Sequence, residues 1–194
     1  MTVSGIDWFR AGETLNACYN AVDRHVIRGL ADHLALVGDR EYSYARLLTE
    51  VGAFAGAMRG VGVSTGDEVL VGGLPPVQHV VVTLACARLG AVVFDAEPPA
   101  PVLAVLGTFP VDATGDLPVI TADVTGDLTW EMAMTAGRSD PAGCSDVRAE
   151  APLRVLGGRP VPTAEHLLAV ADGEVHDDVF GPLLAGGTIH LPGW

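Results

Sequence analysis

The sequence predicts an α/β fold, a parallel sheet flanked by helices, and three consecutive segments carry that prediction. Residues 69–71 are a short apolar run between a polar turn and two glycines, which is typical of a buried strand. Residues 75–90 open with two prolines and end in glycine, the order expected of a helix, and apolar side chains surround most of that helix. Residues 91–94 form a second apolar run. Strand, helix and strand of these lengths predict a right-handed crossover in a parallel sheet.

The flanking segments predict further elements of the same sheet. Residues 34–37 have the pattern of a short strand, and Ser43 can cap a helix in which apolar residues recur at helical spacing over residues 47–58. Gly60 and Gly62 end that helix. Residues 137–151 are polar and rich in turn formers, which predicts a surface loop or linker.

The charge of the chain argues against polyanionic partners. Its 194 residues have a formal net charge of −13, and all 11 cationic side chains are arginine, so the chain has no lysine. Such a charge repels nucleic acid and anionic lipid, and we expect neither a nucleic-acid nor a membrane partner. The sequence has neither an apolar run of the roughly 18 residues that a membrane span needs nor an evident secretory leader, which predicts a cytoplasmic protein.

Cysteine and histidine patterns give no specific metal signal. The three cysteines lie far apart: Cys18, Cys86 and Cys144. Small buried thiols are favoured over a disulfide or a metal site. His176 with Asp177 and Asp178 has metal-ligand chemistry, but a solvated acidic turn is favoured because the sequence places no further ligand beside them. We expect no metal and no cofactor.

Residues 1–30 predict an N-terminal arm packed on an α/β body of residues 31–194. Trp8, Phe9 and Tyr19 supply large side chains without strand alternation, which predicts an irregular arm. Asn16 or Asn20 can cap short helical turns within it.

Several polar side chains have acid–base chemistry, but a role in stabilising the fold is favoured for each of them. Asp23, Arg24 and His25 have acid–base chemistry, but an ion pair or a cap is favoured. Three further histidines are interpreted as ordinary helix or strand residues: His79, His166 and His190. The sequence therefore predicts no catalytic residue.

Four motifs follow one another between residues 8 and 94: WF..G.TLN.CYN.VDRH, LAL, YSYARLLTEV..FAGAMR..GV..GDEVLV and P......TLACARLGAVV. This order resembles the N-terminal part of acetyl-CoA and propionyl-CoA synthetases, which belong to the AMP-binding, adenylate-forming superfamily. The resemblance implies the N-terminal subdomain fold of those acyl-CoA synthetases. Beyond Asp95 it thins, because the stretch that meets CoA in the family has no arginine here, and prolines at 98, 99 and 101 shorten any helix.

The family's phosphate loop has no close counterpart. The resemblance places it after the strand at residues 153–156, where the family has a Ser/Thr/Gly-rich loop ending in Pro-Lys-Gly. Such loops surround phosphates with backbone N–H groups, hydroxyls and a lysine. This chain has GGRPVPT there, so Gly157, Gly158 and Arg159 are weak candidates for a cofactor-binding remnant. A turn is favoured over a phosphate cradle, since two prolines remove N–H donors.

The resemblance also covers the end of the chain. Residues 179–194 resemble the segment that precedes another strand in the family. ADGEVHDD stands where the family has an aromatic-rich run lining the acyl pocket, and its acidic side chains predict an anionic lining. The family's adenine-binding region, its acidic ribose-binding residue and its C-terminal domain with the catalytic lysine lie farther along, so the resemblance implies a truncated relative.

These observations predict a truncated, degenerate acyl-CoA-synthetase-like protein without ligase activity of its own, acting by binding or assembly. One alternative is a subunit that a second chain completes into an acetate- or propionate-CoA ligase. Another is a small-molecule sensor that uses a remnant cleft at the carboxyl ends of the strands. We also expect a homodimer, because residues 179–194 are the apolar run expected to be exposed.

Overall fold

Ten strands and five α-helices occupy the part of the chain that the structure, a computed structural model, describes: residues 14–94, 100–107, 117–123 and 128–191. The strands are β1 Leu34–Val37, β2 Glu41–Ser43, β3 Glu68–Gly72, β4 Val92–Phe94, β5 Pro101–Leu106, β6 Val119–Thr121, β7 Leu128–Thr129, β8 Pro152–Leu156, β9 Arg159–Pro162 and β10 Ile189–His190. The helices are α1 Tyr44–Gly60, α2 Pro76–Leu89, α3 Trp130–Ser139, α4 Thr163–Ala171 and α5 Phe180–Leu184. Two π-helical turns, Tyr19–Asp23 and Val26–Leu30, precede β1.

The described strands form two sheets. The main sheet has seven strands in the order β7, β6, β5, β3, β4, β8, β9, and every neighbouring pair is parallel except β8 with β9. The small sheet has the order β10, β1, β2, with β10 parallel and β2 antiparallel to β1. A mostly parallel sheet with flanking helices confirms the predicted fold class.

The predicted crossover unit is β3, α2 and β4. Helix α2 has Pro76 at its first position, and Gly90 follows it in the left-handed conformation with φ of 75°. Residues 80–89 are all buried, as the apolar surround of this helix predicted. Strands β3 and β4 pair in parallel with Glu68 opposite Val92.

Helix α1 begins where the sequence predicted. The hydroxyl of Ser43 accepts a hydrogen bond from the backbone N–H of Arg46 at 3.2 Å, which satisfies one free donor of the first turn. On the buried face of α1, Phe54 stacks on Trp130 of α3, with ring centroids 4.4 Å apart. Helices α1 and α3 therefore pack directly on each other.

Replacing Gly137 with alanine is expected to lower the free energy of unfolding by about 1–3 kcal/mol, because overpacking a close contact is destabilising. The added methyl group would overlap the carbonyl oxygen of Ala53 and lie 3.0 Å from the backbone nitrogen of Ala57. Both are backbone atoms of α1, so the helices would have to separate. The matched control is Gly60→Ala, where nothing lies within 4 Å of the new methyl group and alanine favours the helix. Equal urea midpoints for the two variants would contradict this close approach.

Residues 101–106 correct a sequence prediction. The prolines pointed to a shortened helix, whereas the segment is strand β5, paired with β3 and β6 in the main sheet. Leu103, Ala104 and Val105 are buried there, and Pro101 is the first residue of the strand, where a missing N–H is tolerated. Two of the prolines considered, at 98 and 99, lie outside the described residues.

Residues 137–151 are a surface loop only in part: residues 140–151 are irregular and mostly exposed or half-buried, but the segment is anchored to the core. Helix α3 continues to Ser139, and Ala142 and Val147 beyond it are buried. The backbone N–H of Ala142 donates to the carbonyl of Gly52 at 2.9 Å, which fastens this segment to α1. Turn-forming residues fit this path because it is irregular, and the small apolar side chains among them pack inward.

The N-terminal end of the described chain is more regular than predicted. Tyr19 and its neighbours form π-helical turns rather than an irregular arm, and Asn16 accepts a hydrogen bond from the N–H of Tyr19 at 3.0 Å, as predicted for a cap. Trp8 and Phe9 lie outside the described residues.

The expectation that residues 179–194 expose apolar surface is wrong for its described part. Four large side chains of that part are buried: Phe180, Leu183, Leu184 and Ile189. Helix α5 lies against the N-terminal helical turns, and β10 adds the strand that the resemblance implied, in the small sheet. Among the described residues, none of the helices combines the length and the apolarity that crossing a bilayer requires.

Candidate functional site

A two-residue turn occupies the place that the resemblance gives to the phosphate loop. Gly157 and Gly158 join the antiparallel strands β8 and β9, and Leu156 pairs with Arg159 across them. Both glycines have positive φ, 56° and 79°, as a tight type I′ hairpin requires. The three remnant candidates therefore lie together at the tip of a hairpin.

The guanidinium of Arg159 is engaged by the protein itself. It donates to both carboxylate oxygens of Glu165 in α4, at 2.7 and 2.9 Å. Pro160 and Pro162 lie in β9, the edge strand of the main sheet, and neither has an N–H to offer an anion. This hairpin offers few backbone donors, and its cation, Arg159, already shares its charge with Glu165 in an exposed ion pair.

A buried polar cluster joins β8, α4 and the start of α5. One carboxylate oxygen of Asp177 accepts hydrogen bonds from Arg154 of β8 at 3.0 Å and from His166 of α4 at 2.9 Å. Its other oxygen accepts from the backbone N–H groups of Val179 and Phe180 at 2.9 and 2.7 Å, which satisfies two backbone donors at the start of α5. Asp177 is thus buried and fully paired, which corrects its interpretation as part of a solvated turn.

The same contacts set the ionisation of the cluster. Burial by itself would raise the pKa of Asp177, but the hydrogen bonds from His166 and from the backbone N–H groups of Phe180 and Val179 lower it to about 2. Burial and the nearby Arg154 lower the pKa of His79 on α2. The cluster therefore contains an ionised carboxylate at neutral pH, and it holds β8, α4 and α5 together.

His166 is a core residue with a specific partner rather than an ordinary helix residue. The signal in the sequence was a histidine beside buried apolar positions of α4, followed by an aspartate that can start the next helix. The neighbouring His176 and Asp178 are exposed and pair with each other at 2.7 Å. Asp177 points away from them into the core, so the three residues do not converge on one point.

Two buried polar atoms near this cluster have no partner among the described residues: Thr83 Oγ1 and Arg154 Nε. Both residues line a small cavity of about 10 Å³ with Phe180. That volume suits one water molecule, which hydrogen-bonds such atoms in protein interiors.

A larger cleft lies between β2, α1, α2 and α3, with a volume of about 160 Å³. Arg40 donates to the hydroxyl of Tyr42 at 2.8 Å at this cleft, and the buried Oε1 of Gln78 has no partner among the described residues. The lining combines both charges with aromatic surface: Asp39, Arg40, Tyr42, Glu50, Pro75, Val77, Gln78, Val81 and Trp130. The cleft is smaller than the roughly 300–1,000 Å³ usual for ligand pockets, and no sequence pattern indicated it.

Comparison with known proteins agrees with this architecture. Residues 23–103 match the AMP-binding enzyme family. The acetyl-coenzyme A synthetases of Cupriavidus metallidurans and Burkholderia mallei are each 41% identical over 90 residues, covering 43% of this chain and 14% of theirs. The family resemblance is therefore confirmed over this part of the chain, which spans 14% of the length of these two relatives.

Solved structures show the same fold. The crystal structure of the anthranilate CoA ligase AuaEII in complex with anthranoyl-AMP has a TM-score of 0.77 and 15% identity, covering 100% of this chain and 47% of that one. The crystal structure of VinN has a TM-score of 0.69 and 17% identity, covering 94% and 57%. The chain thus has the fold of the N-terminal part of adenylate-forming ligases and spans about half of these two chains.

Proposed function

We propose that this acyl-CoA-ligase-like domain acts by binding or assembly and forms no acyl-adenylate by itself. The β8–β9 hairpin is the observation that carries the proposal. A phosphate-wrapping loop needs several convergent N–H donors and an unpaired cation. Here the turn has two residues, and Arg159 is held by Glu165 at 2.7 Å.

The charge of the chain supports the same function. A net charge of −13 without any lysine repels an approaching nucleoside triphosphate. The hairpin has no cluster of cations that would compensate for this repulsion. Acyl-adenylate chemistry obtains most of its rate from positioning and charge stabilisation at the phosphates. A domain without cationic groups and backbone donors for the phosphates is better suited to binding a partner or a small molecule.

Mg-ATP is expected to bind the purified chain with a dissociation constant weaker than about 1 mM, equivalent to less than about 4 kcal/mol. The measurement is isothermal titration calorimetry of the wild type and of Arg159→Ala, which should behave alike because Arg159 already pairs with Glu165. A micromolar constant that Arg159→Ala abolishes would overturn the proposal. Release of pyrophosphate from ATP by the homogeneous chain, if it required added acetate or propionate, would also overturn the proposal.

The cleft lined by Arg40 and Glu50 favours a second candidate function, that of a small-molecule sensor. The buried Gln78 oxygen has no partner in the described part of the chain and could accept a hydrogen bond from an effector small enough for a cleft of about 160 Å³. Native mass spectrometry of protein purified under mild conditions would distinguish this function, since a sensor retains a stoichiometric small molecule that Gln78→Leu releases.

Self-association stays a prediction, and we propose that helix faces would mediate it. Pro160 and Pro162 in edge strand β9 oppose edge-to-edge strand pairing. Ile27 and Met132 are the most exposed of the large hydrophobic side chains in the described ranges, at 71% and 52%. A second chain that completed a split ligase would also need an exposed apolar surface of this kind, so the split-ligase alternative stays a prediction as well.

A further inference from the structure

Two cysteines that are far apart in sequence meet beside a buried ion pair. Cys18 lies at the start of the N-terminal helical turns, and Cys144 lies on the segment between α3 and β8. Their sulfur atoms and a carboxylate oxygen of Asp23 all lie within 4.8 Å of one another. Both cysteines are free thiols, as predicted, although Cys144 is only half-buried; no pattern in the sequence indicated that their sulfurs lie together.

Backbone hydrogen bonds fix the two segments that carry the cysteines. The side-chain amide of Asn16 donates to the carbonyl oxygens of Arg88 and Ser145 at 2.9 and 3.0 Å. The N–H of Ser145 donates to the same carbonyl of Arg88 at 2.8 Å, and Leu15 donates to Val147 at 2.7 Å. These contacts lie within three residues of each cysteine, so the approach of the sulfurs is built into the packing.

Arg88 sets the electrostatics of the pair. Its guanidinium donates to both oxygens of Asp23, at 2.8 and 3.1 Å, and to the sulfur of Cys18 at 3.6 Å. The positive charge of Arg88 repels a metal cation, and its guanidinium already binds both carboxylate oxygens of Asp23. Both effects disfavour a metal ion between Cys18, Asp23 and Cys144.

The two sulfurs differ in access. Cys18 is fully buried, whereas Cys144 is partly exposed beside Gly143, where nothing lies within 4 Å of an added methyl group. An oxidant from solvent therefore reaches Cys144 first, and Cys18 stands behind it. A hydrogen bond to Cys18 and burial hold the pKa of Cys144 above its ordinary value, so millimolar rather than micromolar oxidant is the appropriate range.

We propose that Cys18 and Cys144 form a reversible disulfide when the protein meets a hydroperoxide. The Cys144 thiol attacks the peroxide: an S–O bond forms as the O–O bond breaks, and the thiol proton goes to the departing oxygen, which leaves as water (or as alcohol). Cys18 sulfur then displaces the hydroxyl group of the sulfenic acid as a second water, and the S–S bond forms. Two sulfurs are oxidised and one peroxide is reduced. The sulfurs must close to about 2 Å, which requires a shift of less than about 3 Å.

The disulfide would join the N-terminal helical turns to the segment that packs on α1. Both segments already contact Arg88, so the bond locks an existing arrangement rather than creating a new one. Hydrogen peroxide is the probe, applied to the whole chain at millimolar concentration. We expect loss of two of its three free thiols, and mass spectrometry of the digest should show a peptide pair linked through Cys18 and Cys144. Dithiothreitol should separate the pair and restore both thiols.

Variants separate this reaction from general oxidation. Cys144→Ser and Cys18→Ser should each abolish the linked peptide pair, and circular dichroism checks that each variant is folded. The matched control is Cys86→Ser, which should keep the link, because Cys86 is fully buried in α2 and burial raises its pKa to about 12. Since Cys144 is partly exposed, its variant keeps the test valid if Cys18→Ser fails to fold.

Three outcomes would overturn the proposal. The first is that all three thiols remain free at a peroxide concentration that fully oxidises a cysteine-containing control peptide. The second is a link that involves Cys86 instead of the predicted pair. The third is stoichiometric Zn²⁺ binding by Cys86→Ser protein that protects both remaining thiols, which would make the cluster a metal site.

Discussion

Replacing Arg88 with methionine is expected to lower the free energy of unfolding by about 3–5 kcal/mol, because removing one member of a buried ion pair leaves the other charged and unpaired. Arg88 is 7% exposed and donates to Asp23 at 2.8 Å. Its Nε also donates to the carbonyl of Ala142 at 2.7 Å. Methionine keeps the apolar stem, so the loss comes from the charge and the hydrogen bonds rather than from a cavity.

Urea denaturation measures this loss, and Arg59→Met is the matched control. Arg59 also pairs with an aspartate, Asp140 at 2.9 Å, but both side chains are largely in solvent. Exposed pairs of this kind contribute at most about 1 kcal/mol. Adding Asp23→Asn to Arg88→Met should recover part of the loss, since no buried charge then remains alone. Similar unfolding energies for the two single variants would contradict a stabilising role of the buried pair.

Replacing Asp177 with asparagine is expected to lower the free energy of unfolding by about 2–4 kcal/mol, because the neutral amide leaves Arg154 and His166 without their common acceptor. Asparagine keeps an oxygen acceptor for the two backbone N–H groups at the start of α5, so the difference reports the charge. The matched control is Asp178→Asn, the adjacent aspartate, which is exposed and pairs with the exposed His176. A change within about 0.5 kcal/mol is expected there.

Acid titration gives Asp177 a second readout. Its pKa is lowered from 3.8 to about 2, so its stabilisation is complete above about pH 4 and is lost as the pH falls towards 2. That difference corresponds to about 2 kcal/mol of stability. The wild type should therefore lose more stability than Asp177→Asn between pH 4 and pH 2. Parallel acid profiles for the two proteins would contradict the depressed pKa.

Local sequence signals located the central part of the fold. The apolar run of β3, the prolines and glycine bounding α2 and the cap at Ser43 are recognisable because each depends on the conformation of a few neighbouring residues. Motifs within residues 8–94 were enough to identify the family resemblance, and the matched residues 23–103 overlap them. The GGRP turn was predictable for the same reason as the helix ends, since two adjacent glycines favour a tight hairpin.

Only the tertiary structure decided which distant residues meet. Cys18 and Cys144, Asp23 and Arg88, and His166 and Asp177 gave no joint signal, because side chains on different elements approach each other only after those elements pack. Strand β5 was missed since its pairing with β3, rather than its own propensity, fixes its conformation. Likewise, residues 179–191 look exposed as an isolated apolar run and are covered because α5 and β10 pack against elements from the beginning of the chain. Local conformation follows from neighbours in sequence, whereas burial and ion pairing follow from contacts that the sequence order does not contain.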